Sequence, residues 1–473
     1  MEGDSADRPR SAMEDPDGIH EGEEMGDEVR GEESGSSGIT VTKSISLHTL
    51  AGKEIATIDA DPSWCLRDLQ RCVYEKDGTL IPQIHIINGA TKLEDGVALV
   101  DAGIDDGSRL TLIRSAVLFV VTGSQDYSAK VWNAESGECL HTLRGHRGDL
   151  VSVVFSFDGA EVLTASDDRT ARTWSTQTGE CVHTFSGHRD GVTAAAFSTD
   201  DAWVVTASKD RTARIWSTTS GDCLRVLTGH RDAVLSAMFA PGGAKVLTGS
   251  RDGTARIWSV ETGRKEKSTF EGPLAYFSPD GARVLTLSGD STARLWSAEW
   301  GKWLCTLQGH RDVVLSAAFS SNSARVVTAS RDGHARVWHT ASGKCLLKLV
   351  AHRDAVLSAS FSNDGTKVLT GSVDGSAAVW DMAEGQRLSM RAGHGTAIES
   401  VASPTGTQAL TPASMLQGHG AAIQSVTFSP NSAHALTASN DCTAIIWDIA
   451  SGELVRMMEG HKGPVTSASY LGR

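Results

Sequence analysis

Residues 234–259 read VLSAMFAPGGAKVLTGSRDGTARIWS, and near copies of that run recur from about residue 116 onward. Trp132, Trp174, Trp216, Trp258, Trp296, Trp338 and Trp380 follow at steps of 42, 42, 42, 38, 42 and 42, and Trp447 comes after a step of 67. Within each copy two alternating apolar runs flank a Gly-containing turn, and a third run ends at the Trp. This is strand patterning, with a fourth strand such as CVHTFSG closing the unit. One such sheet has two apolar faces and cannot bury them alone, so the units must stack around an axis.

Polar residues keep fixed offsets. Eight before each Trp is a Ser: Ser124, Ser166, Ser208, Ser250, Ser288, Ser330, Ser372 and Ser439. Six before is an Asp: Asp126, Asp168, Asp210, Asp252, Asp290, Asp332, Asp374 and Asp441. Twenty-two before the Asp, in most units, is the His of a Gly-His or Ala-His pair: His146, His188, His230, His310, His352 and His419. With these motifs the chain from 116 to 473 resembles the WD40 β-propeller family. The resemblance implies about eight four-stranded blades and a buried network of Trp, Ser, His and Asp in each. Left unpaired, each such polar group would cost about 1–3 kcal/mol.

Three irregularities stand out. The unit ending at Trp296 lacks its His, so Ser288 and Asp290 are expected to be exposed or water-bonded. Residues 393–417 hold part of a unit and read as a half-blade between the seventh and eighth, or as a gap in the sequence. The first unit lacks a Gly-His and inner strand, whereas GHKGPVTSASYLGR supplies both. Strand 462–472 is therefore expected to close the ring, with His461 joining Ser124, Asp126 and Trp132.

Upstream, residues 1–38 carry 13 acidic residues against three Arg and almost no aliphatics, the composition of a disordered tail. Residues 39–115 follow a β-β-α-β-β order, and TLAGKEI, LEDGVAL and SRLTLIR look like stretches of ubiquitin. The fold class is thus mainly β, a propeller preceded by a small α+β ubiquitin-like β-grasp domain. The family's apolar recognition patch maps onto Leu50, Ile86 and Ile113. RLTLIR runs on into SAVLFVV, which argues against conjugation as a modifier.

A Ser, a His and an Asp suggest a hydrolase triad, but eight copies each capped by a Trp fit bracing better than catalysis. His-Arg-Asp likewise mimics a kinase loop without its companion motifs. No nucleotide loop or metal cluster is legible, so no cofactor and no metal are expected, and the eight cysteines read as free thiols in a reducing compartment. A formal charge of −14 argues against nucleic acid or membrane as partner. The N-terminus lacks the apolar core of a secretory signal, and a cytoplasmic or nuclear, monomeric propeller is expected.

The leading reading is a non-enzymatic protein–protein interaction scaffold that binds proteins or peptides. The residues after each His should line one rim: Arg189, Asp190, Arg231, Asp232, Arg311, Asp312, Arg353 and Asp354. They either contact a charged peptide or pair with each other. An adaptor in ubiquitin-dependent degradation, meeting ubiquitin-pathway or proteasome components, is the alternative; an enzyme is a third. Propellers of cullin-4 ligases resemble one another in a Trp-Asp-x-Arg ending, whereas here Trp380 and Trp447 lead to Ala383 and Ala450.

Overall fold

The computed structural model describes residues 42–61, 63–77, 79–89, 91–93, 97–114, 117–382, 408–410 and 414–472. The acidic tail expected over 1–38 lies outside them.

Residues 42–114 form a five-stranded mixed sheet. Lys43–His48 pairs antiparallel with Glu54–Ala60 and parallel with Arg109–Arg114, which pairs with Ile84–Asn88. A short strand, Thr91–Lys92, completes the edge. Alternation sends Ile45, Leu47, Ile84, Ile86, Leu110 and Leu112 to one face, where a helix over Leu66–Asp77 covers them with Leu66, Leu69 and Val73.

The remaining described strands make eight sheets, seven of four strands and one of five, here called blades and numbered by their Trp from Trp132 (first) to Trp447 (eighth). The second blade is typical: Leu150–Phe155, Glu161–Ser166, Thr170–Ser175 and Cys181–Ser186 run antiparallel from the axis outward. In the first blade the innermost strand is Val465–Tyr470, paired antiparallel with Phe119–Ser124. The apolar faces meet in eight clusters, one for each pair of neighbouring blades. Trp174 packs on Val121, Val131 and Leu143 of the first blade, and Trp132 packs on Leu436, Ala438 and Ile446 of the eighth, so the series returns to its start. Burying an indole in this way contributes about 4–6 kcal/mol.

The half-blade expected over 393–417 does not form where residues are described. Ser414–Gln417 is instead the outermost strand of the seventh blade, antiparallel to Ser376–Asp381. Gln408–Leu410 lies parallel on Cys345–Val350, adding a fifth strand to the sixth blade. The reason is pairing: the third strand of the seventh blade needs an outer partner, and Ala377↔Leu416 gives it one with a buried apolar side chain. Residues 393–407 and 411–413 lie outside the described residues.

The small domain abuts the blades at the turn between the first two strands of the second blade. Ile81 N–H donates to Asp158 O at 3.0 Å, Arg67 Nη2 meets Glu161 Oε1 at 2.8 Å, and Gln83 Nε2 donates to Val117 O at 3.1 Å. Leu80 and Leu471 share one apolar cluster there.

Candidate functional site

Each blade carries a hydrogen-bonded chain from core to rim. In the second, Trp174 Nε1–H donates to Thr164 Oγ1 at 2.9 Å, and Thr164 Oγ1 lies 2.8 Å from His146 Nε2. His146 Nδ1 faces Asp168 Oδ2 at 2.8 Å, and that oxygen also accepts the Arg147 N–H. The other carboxylate oxygen accepts the N–H and hydroxyl of Thr170. The same chain runs through His461, Thr122, Asp126 and Trp132 in the first blade and through His188, Asp210 and Trp216 in the third. His230, Asp252 and Trp258, His310, Asp332 and Trp338, and His419, Asp441 and Trp447 repeat it.

The hydroxyl between indole and imidazole is therefore a threonine, not the serine expected. Ser166 sits two residues nearer the rim, where its Oγ donates to Gly148 O and accepts the Asp168 N–H. Ser124, Ser208, Ser250, Ser330, Ser372 and Ser439 do the same in their blades. Serine and threonine share one strand face, and only the inner one reaches the indole.

Two blades depart. In the seventh, His352 Nδ1 turns to Ser376 Oγ at 3.0 Å, with Asp374 Oδ2 at 3.6 Å. In the fifth, which has no His, Trp296 still donates to Thr286, but Arg294 Nη2 takes Asp290 at 2.6 Å. Asp290 is exposed, as expected, and its carboxylate meets a guanidinium where the other blades have an imidazole.

Burial is the largest influence on these groups. It lowers the pKa of His146, His188, His230, His419 and His461 below the ordinary value, against the pull of each partner carboxylate. Neutral imidazoles then donate from Nδ1 to Asp and accept the Thr hydroxyl at Nε2, so every polar atom of the chain has a partner. Burial pushes the carboxylates up, but the Thr170 hydroxyl, the Arg147 N–H and His146 together hold Asp168 down at about 2; Asp126 and Asp210 are held likewise. A triad serine is absent from this chain of contacts, and the imidazole's two nitrogens are both engaged.

The rim residues lie together, with a different pattern from the one expected. Asp190, Asp232, Asp312 and Asp354 each accept the N–H of the next residue at 2.7 Å and so cap their own loops. Arg189, Arg231, Arg311 and Arg353 place their backbone N–H groups on the network carboxylates and leave their side chains exposed. The residues between each Ser and Asp form an inner collar, in which Lys209 Nζ of the third blade reaches Asp167 of the second at 2.7 Å.

On the small sheet, Leu50 is 76 % exposed and Ile113 is half-buried, but Ile86 is fully buried in the core. The expected patch is thus corrected. Register pairs Ile86 with inward Leu112, and Ile87, opposite Thr111, takes the outward place.

The cysteine positions also shift in one blade. Cys139, Cys181, Cys223 and Cys345 each stand opposite their Trp, whereas Trp296 faces Trp303, and Cys305 comes two residues later. Among the described residues no three His, Cys, Asp or Glu side chains gather as a metal ion would require.

The family model described as "WD domain, G-beta repeat" matches residues 137–175, 179–217, 221–259, 274–297, 301–339, 343–381 and 410–448. Among solved structures, the chain is similar to the crystal structure of the computationally designed Ika8 protein, with a TM-score of 0.59 and 26 % identity over 71 % of this chain and 96 % of that one. No curated protein matches.

Proposed function

The chain belongs to the WD40 repeat family, which matches more than half of its length, and on that premise we propose that it is a non-enzymatic scaffold binding other proteins or peptides. One observation carries this reading. The His and Asp groups that could do chemistry are spent on bracing, blade after blade, while the arginines that follow four of the histidines, Arg189, Arg231, Arg311 and Arg353, keep exposed side chains. Rigid loops on a closed ring suit recognition.

Arg189, Arg231, Arg311 and Arg353, with the collar inside them, are the proposed contact surface. Their guanidinium groups are free of the loop aspartates, which favours a charged peptide over self-pairing. The test is affinity purification of full-length protein against a triple variant, Arg189→Glu, Arg231→Glu and Arg311→Glu. Retention of all partners by the variant would exclude the rim.

The second reading is an adaptor in ubiquitin-dependent degradation. Its support is the small domain: a helix packed on a mixed sheet with parallel Lys43–His48 and Arg109–Arg114, the arrangement a ubiquitin-like β-grasp would have. The exposed Leu50, with Ile87 and Ile113 on the outward face, would be its docking patch. Recovery of proteasome or ligase subunits that is lost in Leu50→Ala/Ile113→Ala would favour it.

A further inference from the structure

The fifth blade breaks a local rule that six other blades keep among the described residues. In the turn before the fourth strand, Ser136, Thr178, Ser220, Thr262, Ser342 and Ser451 each accept the N–H two residues on, at 3.2–3.4 Å. The fifth blade has Trp300 there, 75 % exposed, with no hydroxyl to offer Lys302. Three residues later, where other blades carry Cys, Lys or Leu, it has Trp303, 54 % exposed, followed by Leu304 at 43 %. Trp303 stands opposite Trp296 and donates its Nε1–H to Thr306 Oγ1 at 3.3 Å, yet much of both indoles faces water and a turn contact is given up. Large exposed aromatics of this kind mark binding surfaces.

Through Ser297 and Glu299 the turn borders the first of two adjoining clefts on the same face of the ring. One, of about 490 Å³, is lined by Pro241, Asp280, Ser297 and Glu299, and the other, of about 520 Å³, by Trp203, Leu224, Val260, Glu261 and Glu266; both touch Lys245. The linings hold Asp280, Glu299, Glu261 and Glu266 against Lys245 and Arg225, and Asp280 is paired with Arg283 at 3.6 Å, which leaves Glu299 and Glu261 as the unpaired acidic groups among these described residues. Lys245 is held by Glu266 at 3.0 Å, and Arg225 is turned onto the backbone carbonyls of Glu261 and Leu224. Glu299, next to Trp300, is exposed. Lys302 is the opposing charge between the two indoles.

We propose that Trp300, Trp303 and Glu299 form a docking site for a basic peptide segment of a partner protein, whose apolar side chains enter the neighbouring clefts. A Lys or Arg laid on an indole face gains from the ring's negative face and ends beside the Glu299 carboxylate. The acidic cleft walls attract the same segment and repel an acidic one. This site lies across the ring from the charged rim and stands or falls independently of it.

The test uses full-length protein on an array of short peptides with constant apolar content and stepped net charge. Binding should be confined to peptides that join Arg or Lys to apolar residues. Trp300→Ser and Trp303→Leu install residues found at these positions in other blades, so folding is preserved. Together they should weaken binding by about tenfold or more. Glu299→Gln should weaken it less and flatten its salt dependence, and the rim triple variant should bind as the parent does. A preference for acidic or neutral peptides, no binding at all, or unchanged binding by the double variant would overturn the proposal. So would concentration-dependent self-association of the parent that the double variant abolishes, since the occupant would then be a second copy.

Discussion

Ala351 and Ala378 pack in one apolar cluster at the two positions that hold a glycine and an arginine in the second, third, fourth and sixth blades. In those blades the guanidinium leaves no room beside the Gly-His glycine. A Cβ on Gly145, Gly187, Gly229 or Gly309 would come 2.5, 2.7, 2.9 or 3.1 Å from Nη1 of Arg172, Arg214, Arg256 or Arg336. Arg172 and Arg214 lie over their indoles at 5.9 and 5.8 Å. The seventh blade has lost both the arginine and the need for glycine.

This coupling predicts a non-additive pair. Gly187→Ala alone forces the Arg214 side chain off Trp216 and strains a backbone at φ 146. It should destabilise by about 1–3 kcal/mol. Adding Arg214→Ala should return the part of that loss that comes from the clash and leave the part that comes from φ, so the two changes are non-additive in a double-mutant cycle of thermal unfolding.

The threonine bridge predicts a ranking. Thr206→Val leaves the Trp216 N–H and His188 Nε2 without a partner, costing about 2–4 kcal/mol, whereas Thr206→Ser keeps the hydroxyl and should cost about 1. Denaturant midpoints of the two variants give the comparison.

Acid should unfold the ring in two stages. The buried His pKa values lie below the unfolded value, so their contribution is full above about pH 6.5 and falls as the pH drops toward the folded values. The carboxylates of Asp126, Asp168 and Asp210 are depressed to about 2, so their contribution is full above about pH 4 and is lost as the pH falls through 2. Apart from the opposing contribution of Asp201, melting temperatures should be level above pH 7, decline below 6.5 and decline again below 4. A single step confined to the lower range would show that folding does not lower the imidazole pKa values.

One group acts with the opposite sign. Asp201 accepts the N–H groups of Phe157 and Asp158, joining the third blade to the second, but burial and then the Asp158 charge push its pKa up to about 7. Its contribution is full below about pH 4 and is lost as the pH rises through 7. Asp158→Asn keeps an oxygen for the Ser156 hydroxyl and the Ala160 N–H while removing the like charge. It should flatten the decline in melting temperature between pH 6 and 8, checked by scanning calorimetry.

Much of the ring was legible because the same physics is written repeatedly. Trp, His and Asp recur at fixed offsets, and a buried indole with a buried imidazole demands partners. The bridging threonine was equally visible, as Thr122, Thr164, Thr206, Thr248, Thr286, Thr328, Thr370 and Thr437 stand ten before each Trp. Spacing alone does not say which of two hydroxyls on one strand face the indole meets. Ile86 failed on parity, since a slip of one residue turns a β-strand side chain from surface to core. Ser414–Gln417 is four residues of weak pattern, and its place came from the unpaired strand it completes rather than from its own sequence.

The seam at Val465–Tyr470 sets a timetable for synthesis. Thr122 meets His461 across 339 residues of chain, which at about 5–20 residues per second is a wait of roughly 20–70 s. During it Phe119–Ser124 has no inner neighbour, and the seat of the small domain lacks Leu471. Nascent chains would thus carry an open β-edge until Val465–Tyr470 emerges, and any product stopped before it would stay unsealed.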